Sequence, residues 1–535
     1  MPLLGGPRLS SVWRERLAVF LLSYLLSLAL LSLRGAWQGR FTVSDEPSQF
    51  MTGLMVRDYL AAGFPAPPLA YAERYYLHYP KVALGHWPPL FPLVAGLWML
   101  PFPASPASVL LLIAGFVAVT ALLIYASLRR DYGPAAALVA GELFILLPQV
   151  QTLTGQVMAE TLVALLLFAA ALCFGQYLDT GRTAPAAWFG VLAALACLTK
   201  PNGFALALMP LLAVALTRRF GLLGHLRFWI PAIVVVVLCG PWYYLTWPMI
   251  RGEHMIGNEP NYWLAAMQAA RVNTLLFGAG QTAILSLALL GLATRWRLGG
   301  GKWMAAATLP PALWLFHTFL SPHTEARFTM LAIPAVCLFV GAGWSWVRRC
   351  LPDSPFWGWA LSIAVLASSL AWMAPRPPED ASYRRLASEL LAPGDSRDSV
   401  ILVSGTSEAE GSVIAEIAIR ESRPGHIVLR ASKQLSTSDW MGRQYRLQYE
   451  TPDEVQEYLE SIPVRLVVVQ SLPVQTEQPH HRLLRAALAR YPDRWERIPA
   501  GQEFDLYRLR GPGREPRRKI HIDMPGTLGR PIQQD

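Results

Sequence analysis

The sequence predicts a polytopic α-helical membrane protein with about 11 transmembrane helices and a C-terminal extracytoplasmic α/β domain. Three observations carry that prediction. The 535 residues are 53% hydrophobic and only 15% charged, where soluble domains carry about 25% charged residues, and the mean hydropathy is +0.33. Apolar stretches of near-bilayer length recur through the first 375 residues. The charges divide unevenly: residues 1–375 hold 23 Lys+Arg against 13 Asp+Glu, and residues 376–535 hold 23 of each. The net charge of +10 thus belongs to the apolar part, where excess Lys and Arg is expected on cytoplasmic loops. Nucleic acid is not needed as a partner to explain it. The five cysteines (Cys173, Cys197, Cys239, Cys337, Cys350) lie in or beside apolar segments without CxxC or Cys/His spacing, which gives no support to a disulfide framework or a zinc ribbon.

In chain order the predicted spans cover residues 17–33, 107–128, 134–147, 158–177, 186–198, 205–217, 228–249, 274–293, 303–320, 328–347 and 356–374. The first reads as a retained anchor and not a cleaved signal, because no small-x-small site follows and Arg34 interrupts the region. A twelfth stretch, WPPLFPLVAGLWMLPF at 87–102, is short, bracketed by prolines and without flanking charge. If it does not span, 14 of the 23 basic residues fall on short cytoplasmic loops beside four acids, Glu15, Asp131, Asp179 and Asp353. If it spans, every loop after the first reverses against the positive-inside bias. Residues 87–102 are therefore expected to lie at the outer interface, within a first outer loop at 34–105. An odd number of spans places the C-terminal part outside a plasma (inner) membrane.

From residue 376 the pattern changes. Residues 400–403 and 464–469 read as buried strands, 427–429 and 504–509 as further strands, and 408–420 and 451–461 as amphipathic helices. An α/β domain is expected at 376–510, followed by a disordered Gly/Pro/Arg tail at 511–535. Its GPGREPRRK segment reads as solvated, with anionic-lipid binding the less favoured reading.

The charges left on the outer side gather in few places. The first outer loop holds Asp45, Glu46, Arg57, Asp58, Glu73, Arg74, His78, Lys81 and His86; QVMAET ends in Glu160 and its Thr; another loop holds Arg251, Glu253, His254 and Glu259; SPHTEAR holds His323, Glu325 and Arg327. Charges at a bilayer edge are costly unless paired, hydrated or used.

SDEPSQFMTGLMVRDYL, YYLHYPKVALGHWPPLFPLVAGLW, the MAET loop, ALACLTKPNGFALALMPLL and EARFTMLAIPA together resemble the polyprenyl-phosphate-sugar-dependent glycosyltransferases of family 39. That family includes protein O-mannosyltransferases and lipid A aminoarabinose transferases, and the resemblance covers about residues 10–375. It implies a GT-C fold and inverting transfer of a monosaccharide, hexosyl or pentosyl, from a polyprenyl-phosphate carrier to a protein, lipid or glycan acceptor. By the family's acidic motif, Asp45 is the general base, with Glu46 beside it orienting the loop or raising the Asp45 pKa. Glu160 stands where many members have Asp and is expected to hydrogen bond acceptor or sugar. Arg57, Lys81, His86 and Arg327 are candidates for the leaving phosphate, although relatives carry Lys immediately before Pro-Pro where this chain has HWPP. Lys200, in LTKPNG, is expected near the lipid pocket.

No metal is assigned. Arg251, Glu253 and His254, with Glu46 or His78, make only a loose ligand pattern, and a lipid monophosphate leaving group does not need a divalent ion, so no cofactor is required. The alternative function is a transporter or flippase of lipid-linked sugars, which favours ionisable groups on broken mid-membrane helices and internal repeats. Glu142 is the clearest mid-span acid, and no repeat is found.

Overall fold

The computed structural model describes residues 8–38, 41–85, 87–254, 261–278, 282–296, 299–322, 324–370, 382–392, 400–438, 445–473, 475–511, 518–522, 524, 528 and 530–533. It is a helical membrane protein with a small sheet-containing C-terminal region. Among the described residues five helices have the length and apolarity to cross a bilayer: Ser11–Leu33, Pro106–Leu146, Glu160–Thr180, Leu226–Met249 and Ala326–Cys350. The 41-residue helix breaks at Gly133 (φ 82°, ψ 173°), next to Pro134, so it divides where the sequence separates 107–128 from 134–147. Shorter apolar helices occupy Thr183–Thr199, Pro201–Thr217, Ile284–Arg295 and Pro355–Leu370. Of the expected span at 274–293, the described residues lie in helices Tyr262–Gly278 and Thr282–Trp296.

The 87–102 stretch forms a helix only over Leu90–Trp98. Nine residues rise about 14 Å, under half the roughly 30 Å of hydrocarbon, so this helix does not cross. It packs along Asp45–Ala61, and Trp98 donates its indole N–H to the Ser108 carbonyl at 2.9 Å.

The loops expected inside close on one another. Arg129 Nε meets Glu15 at 2.5 Å, Lys302 Nζ meets Asp131 at 2.9 Å, Asp179 accepts from the Gly301 amide at 2.6 Å, and Arg227 donates to the Gly181 carbonyl at 3.2 Å. At the other end of the bundle lie the first outer loop and the C-terminal region.

That region folds around a five-stranded sheet in the order Ile427–Arg430, Val400–Ser404, Val464–Gln470, Phe504–Leu509, Trp495–Pro499. The first three strands are parallel and the last two antiparallel to their neighbours. Every residue of Val400–Ser404 is buried, as a parallel strand covered on both faces requires. Helices Ser407–Arg420 and Pro452–Ser461 sit where periodicity places them, the latter closed by a capping box between Thr451 and Glu454. Helices Ser382–Leu390 and Pro479–Arg490 complete the fold.

Of the tail at 511–535, residues 511, 518–522, 524, 528 and 530–533 are described. Among its described residues His521–Ile522 pairs with Ile532–Gln533, and Ile520, Ile522 and Ile532 are buried. Alternating isoleucines, masked in composition by Gly, Pro and Arg, provide that strand.

The C-terminal region docks directly on the first outer loop. Arg423 grips Asp58 through Nε at 2.6 Å and Nη2 at 3.2 Å; Tyr79 donates to Glu421 at 2.6 Å; His78 Nδ1 contacts the Gly425 carbonyl at 2.8 Å; Lys81 Nζ donates to Ser407 Oγ at 3.0 Å. The two parts thus share one compartment.

Candidate active site

Asp45 opens the helix Asp45–Ala61, and Arg327 lies in the short 3₁₀ turn Ala326–Ala332 that begins a span. Nη1 of Arg327 donates to Oδ2 of Asp45 at 2.7 Å, and each side chain keeps about one fifth of its surface exposed. The Arg327 Nε faces Glu325 at 2.5 Å and Glu160 at 3.6 Å. Glu160 is the first residue of helix Glu160–Thr180, and its side chain is 1% exposed. A carboxylate there suits the positive end of the helix dipole, and Lys200 Nζ donates to it at 2.5 Å.

LTKPNG explains how Lys200 reaches this point. Pro201 stops the helix Thr183–Thr199, forcing Lys200 into an extended conformation (φ −158°, ψ 144°), and a 3₁₀ turn follows over Pro201–Ala207. The chain folds back so tightly that a Cβ on Gly203 would stand 2.4 Å from the Cys197 nitrogen; only glycine fits. The ammonium lies 5.7 Å from the Trp87 ring and 5.2 Å from the Phe328 ring, within cation–π range.

Four predicted residues from four separated segments, Asp45, Glu160, Lys200 and Arg327, therefore converge at one face. Glu46 is also close but does different work. Its buried carboxylate accepts from the Thr42 amide and hydroxyl, both at 2.7 Å, and from the Val157 amide at 3.0 Å. It ties the segment before Asp45 to the segment before Glu160, a contact in keeping with the expectation that it orients the loop.

Two further anion-binding candidates, Arg57 and Lys81, have partners of their own. Arg57 is twelve residues beyond Asp45 on one helix, about 18 Å along its axis, and pairs with Asp58 at 2.7 Å. Lys81 is buried beneath the first turn of Ser407–Arg420, donating to the Ser407 carbonyl as well as its hydroxyl. Burial there, with Arg430 nearby, pushes its ammonium down to about 7, against the pull of Glu410, Asp45 and Glu408. Lys81 is thus a contact between the loop and the C-terminal region. His86 and the side chains of Arg251, Glu253 and His254 lie outside the described residues. Among the described residues no group of three or more potential metal-ligating side chains occurs. Glu142, the acid the transport reading leaned on, accepts from Ser23 Oγ at 2.7 Å and joins two helices.

A second polar layer was not read from the sequence. His317, in the π-helical segment Phe316–Leu320, stacks on Phe328 with centroids 4.5 Å apart and planes 2° from parallel. Its Nε2 meets Asn202 Nδ2 at 3.0 Å. Asn202 belongs to LTKPNG and Phe328 follows Arg327, so adjacency to two candidate cations was the available signal.

A family model, described as dolichyl-phosphate-mannose-protein mannosyltransferase, matches residues 86–245. Among solved structures, ArnT from Cupriavidus metallidurans in the apo state is similar at 15% identity and TM-score 0.58, covering 93% of this chain and 98% of that chain. Its complex with undecaprenyl phosphate gives 14% and 0.55 with the same coverage. The Archaeoglobus fulgidus oligosaccharyltransferase tethered to an acceptor peptide gives 14% and 0.50, covering 85% of this chain and 69% of that chain. No curated protein sequence matches significantly.

Proposed function

We propose that the chain is a GT-C glycosyltransferase of family 39 that transfers a monosaccharide from a polyprenyl-phosphate carrier to an acceptor, with inversion at the anomeric carbon. The observation that carries this reading is the Asp45–Arg327 pair, partly open to solvent, in front of the buried Glu160–Lys200 pair. A carboxylate held at the rim accepts the proton of an acceptor hydroxyl. The hydroxyl oxygen forms the new bond to C1 as the bond from C1 to the phosphate oxygen breaks, and that electron pair leaves with the lipid phosphate. Arg327, whose planar fork suits phosphate, stabilises the added charge, and Lys200 supplies a second cation behind it. No metal is needed for these steps. One carboxylate and direct displacement account for inversion.

The site and the C-terminal region share a face, and the basic loops close at the opposite end. With the positive-inside bias, this supports a multi-pass plasma-membrane (inner-membrane) protein whose active site and C-terminal region are extracytoplasmic. The ligands named for the relatives, undecaprenyl phosphate and an acceptor peptide, support a lipid-linked donor here and leave the acceptor class open between protein, lipid and glycan.

The test is transfer by purified protein in lipid nanodiscs from a panel of polyprenyl-phosphate sugars to envelope lipids, glycans and peptides. Transfer from one donor, abolished by Asp45→Asn, is expected. Undiminished transfer by Asp45→Asn removes the base assignment.

A further inference from the structure

The helix Gly301–Leu315 runs on into a wider turn. Over Phe316–Leu320 the backbone is π-helical, closed by the Ser321 amide on the Phe316 carbonyl at 2.8 Å. Such turns are rare, concentrate at functional sites, and change the direction in which the side chains they carry point. Here the buried side chain so aimed is the His317 imidazole.

Three other segments hold that residue. Asn202 donates its side-chain N–H to Nε2 at 3.0 Å, Phe328 stacks on the ring with centroids 4.5 Å apart and planes 2° from parallel, and Asn273 of helix Tyr262–Gly278 donates to the His317 carbonyl at 3.3 Å. Asn202 stands two residues after Lys200, and Phe328 directly follows Arg327. The imidazole therefore bridges the two segments that carry the cations of the site. Both segments are 3₁₀ turns, Pro201–Ala207 and Ala326–Ala332, whose own hydrogen bonds are poorer than those of an α-helix. Their placement depends on what they pack against. Glu160 draws both cations, Lys200 at 2.5 Å and Arg327 at 3.6 Å, but attraction to one carboxylate does not set the separation of the two backbones. The imidazole supplies that separation. Its bond to Asn202, itself buried, specifies one geometry, because a buried amide left unpaired costs about 1–3 kcal/mol.

We propose that His317 is a positioning residue for donor binding: it fixes the Lys200 and Arg327 segments at the separation at which both cations reach one phosphate. This rests on the transfer reading, in which those cations hold the donor phosphate. The imidazole acts through Asn202 and Phe328 and takes no part in the proton transfer.

Full-length protein in lipid nanodiscs is assayed for transfer over a range of donor and of acceptor concentrations, with thermal unfolding of each variant. His317→Phe keeps a ring against Phe328 and loses the acceptor for Asn202; Asn202→Ala removes the donor of the same bond. Each is expected to raise donor KM about tenfold, the scale of one lost hydrogen bond, with acceptor KM unchanged. Combined, they are expected to raise it no further than either alone, because both break one contact. His317→Ala, which also loses the stack, is expected to exceed them, and the ring-preserving variant carries the test if the alanine variant does not fold. Donor KM unchanged in His317→Phe and Asn202→Ala, equal rises in donor and acceptor KM, or additive effects in the double variant overturn the proposal. A parent that transfers nothing from any donor overturns the transfer reading and this inference with it, whereas transfer with an indifferent donor KM overturns this inference alone.

Discussion

Arg327 donates to Asp45 at 2.7 Å while three carboxylates, Asp45, Glu160 and Glu325, surround its guanidinium. The proposed base is therefore occupied before substrate arrives. For Asp45 to accept a proton, Arg327 has to release it, and an incoming phosphate offers the guanidinium a stronger partner. Donor binding and unmasking of the base become one event.

This makes the two residues separable by kinetics. Asp45→Asn is expected to lower kcat on the order of 100-fold or more with little change in donor KM. Arg327→Lys keeps a charge but loses the planar fork, and is expected to raise donor KM as well as lower kcat. Steady-state rates across donor concentrations check both; an unchanged donor KM in Arg327→Lys removes the phosphate role.

The Lys200–Glu160 pair is expected to behave as a buried ion pair whose members cannot be removed singly. With side chains 9% and 1% exposed, Lys200→Met leaves a carboxylate facing only Arg327 at 3.6 Å. A cost of about 3–5 kcal/mol is expected. Adding Glu160→Met should return much of that stability, because two apolar groups replace two charges. Thermal unfolding of the two singles and the double in one detergent tests this, and additive losses would contradict it.

Lys81 gives the docked C-terminal region a pH dependence with a definite sign. Its ammonium falls from the ordinary 10.5 to about 7 through burial, then Arg430, against Glu410, Asp45 and Glu408. Between those values the undocked or unfolded chain binds a proton that the docked chain does not, so stability rises with pH. The gain is fully present above about 10.5, is lost progressively on descending to about 7, and changes no further below. Hydrogen exchange of the Ser407–Arg420 amides, corrected for intrinsic rates, is expected to slow as pH climbs from 7 toward 10. Lys81→Met should flatten that trend.

How far the sequence revealed this site follows from the range of its signals. Asp45, Glu160, Lys200 and Arg327 were legible because charge at a membrane edge is expensive, and each sits where a helix begins or ends. The strands Val400–Ser404 and Val464–Gln470 were legible as short apolar runs. The contact of Lys81 with Ser407 is not legible because the two are 326 residues apart, and no local pattern announces that a loop cation will be covered by another part of the chain. His317 was missed for a related reason: its significance comes from stacking on Phe328, a contact made by tertiary packing.

The last expectation concerns the docked surface itself. Gly411, buried on helix Ser407–Arg420, faces the helix Asp45–Ala61 so closely that a Cβ would meet Pro47 Cγ at 2.7 Å and Lys81 Cε at 2.8 Å. Two effects oppose each other in Gly411→Ala. Helix propensity favours alanine by about 1 kcal/mol, whereas overpacking a filled contact costs about 1–3 kcal/mol. Pro47 is a rigid ring two residues after Asp45, so it yields less than the lysine methylene and the steric cost should win. Gly411→Ala is expected to be destabilising in spite of its helical position, and Gly411→Val more so, with transfer reduced because the first turn carrying Asp45 is displaced. Stabilisation by alanine at full activity would mean that the C-terminal helix does not press on the helix Asp45–Ala61.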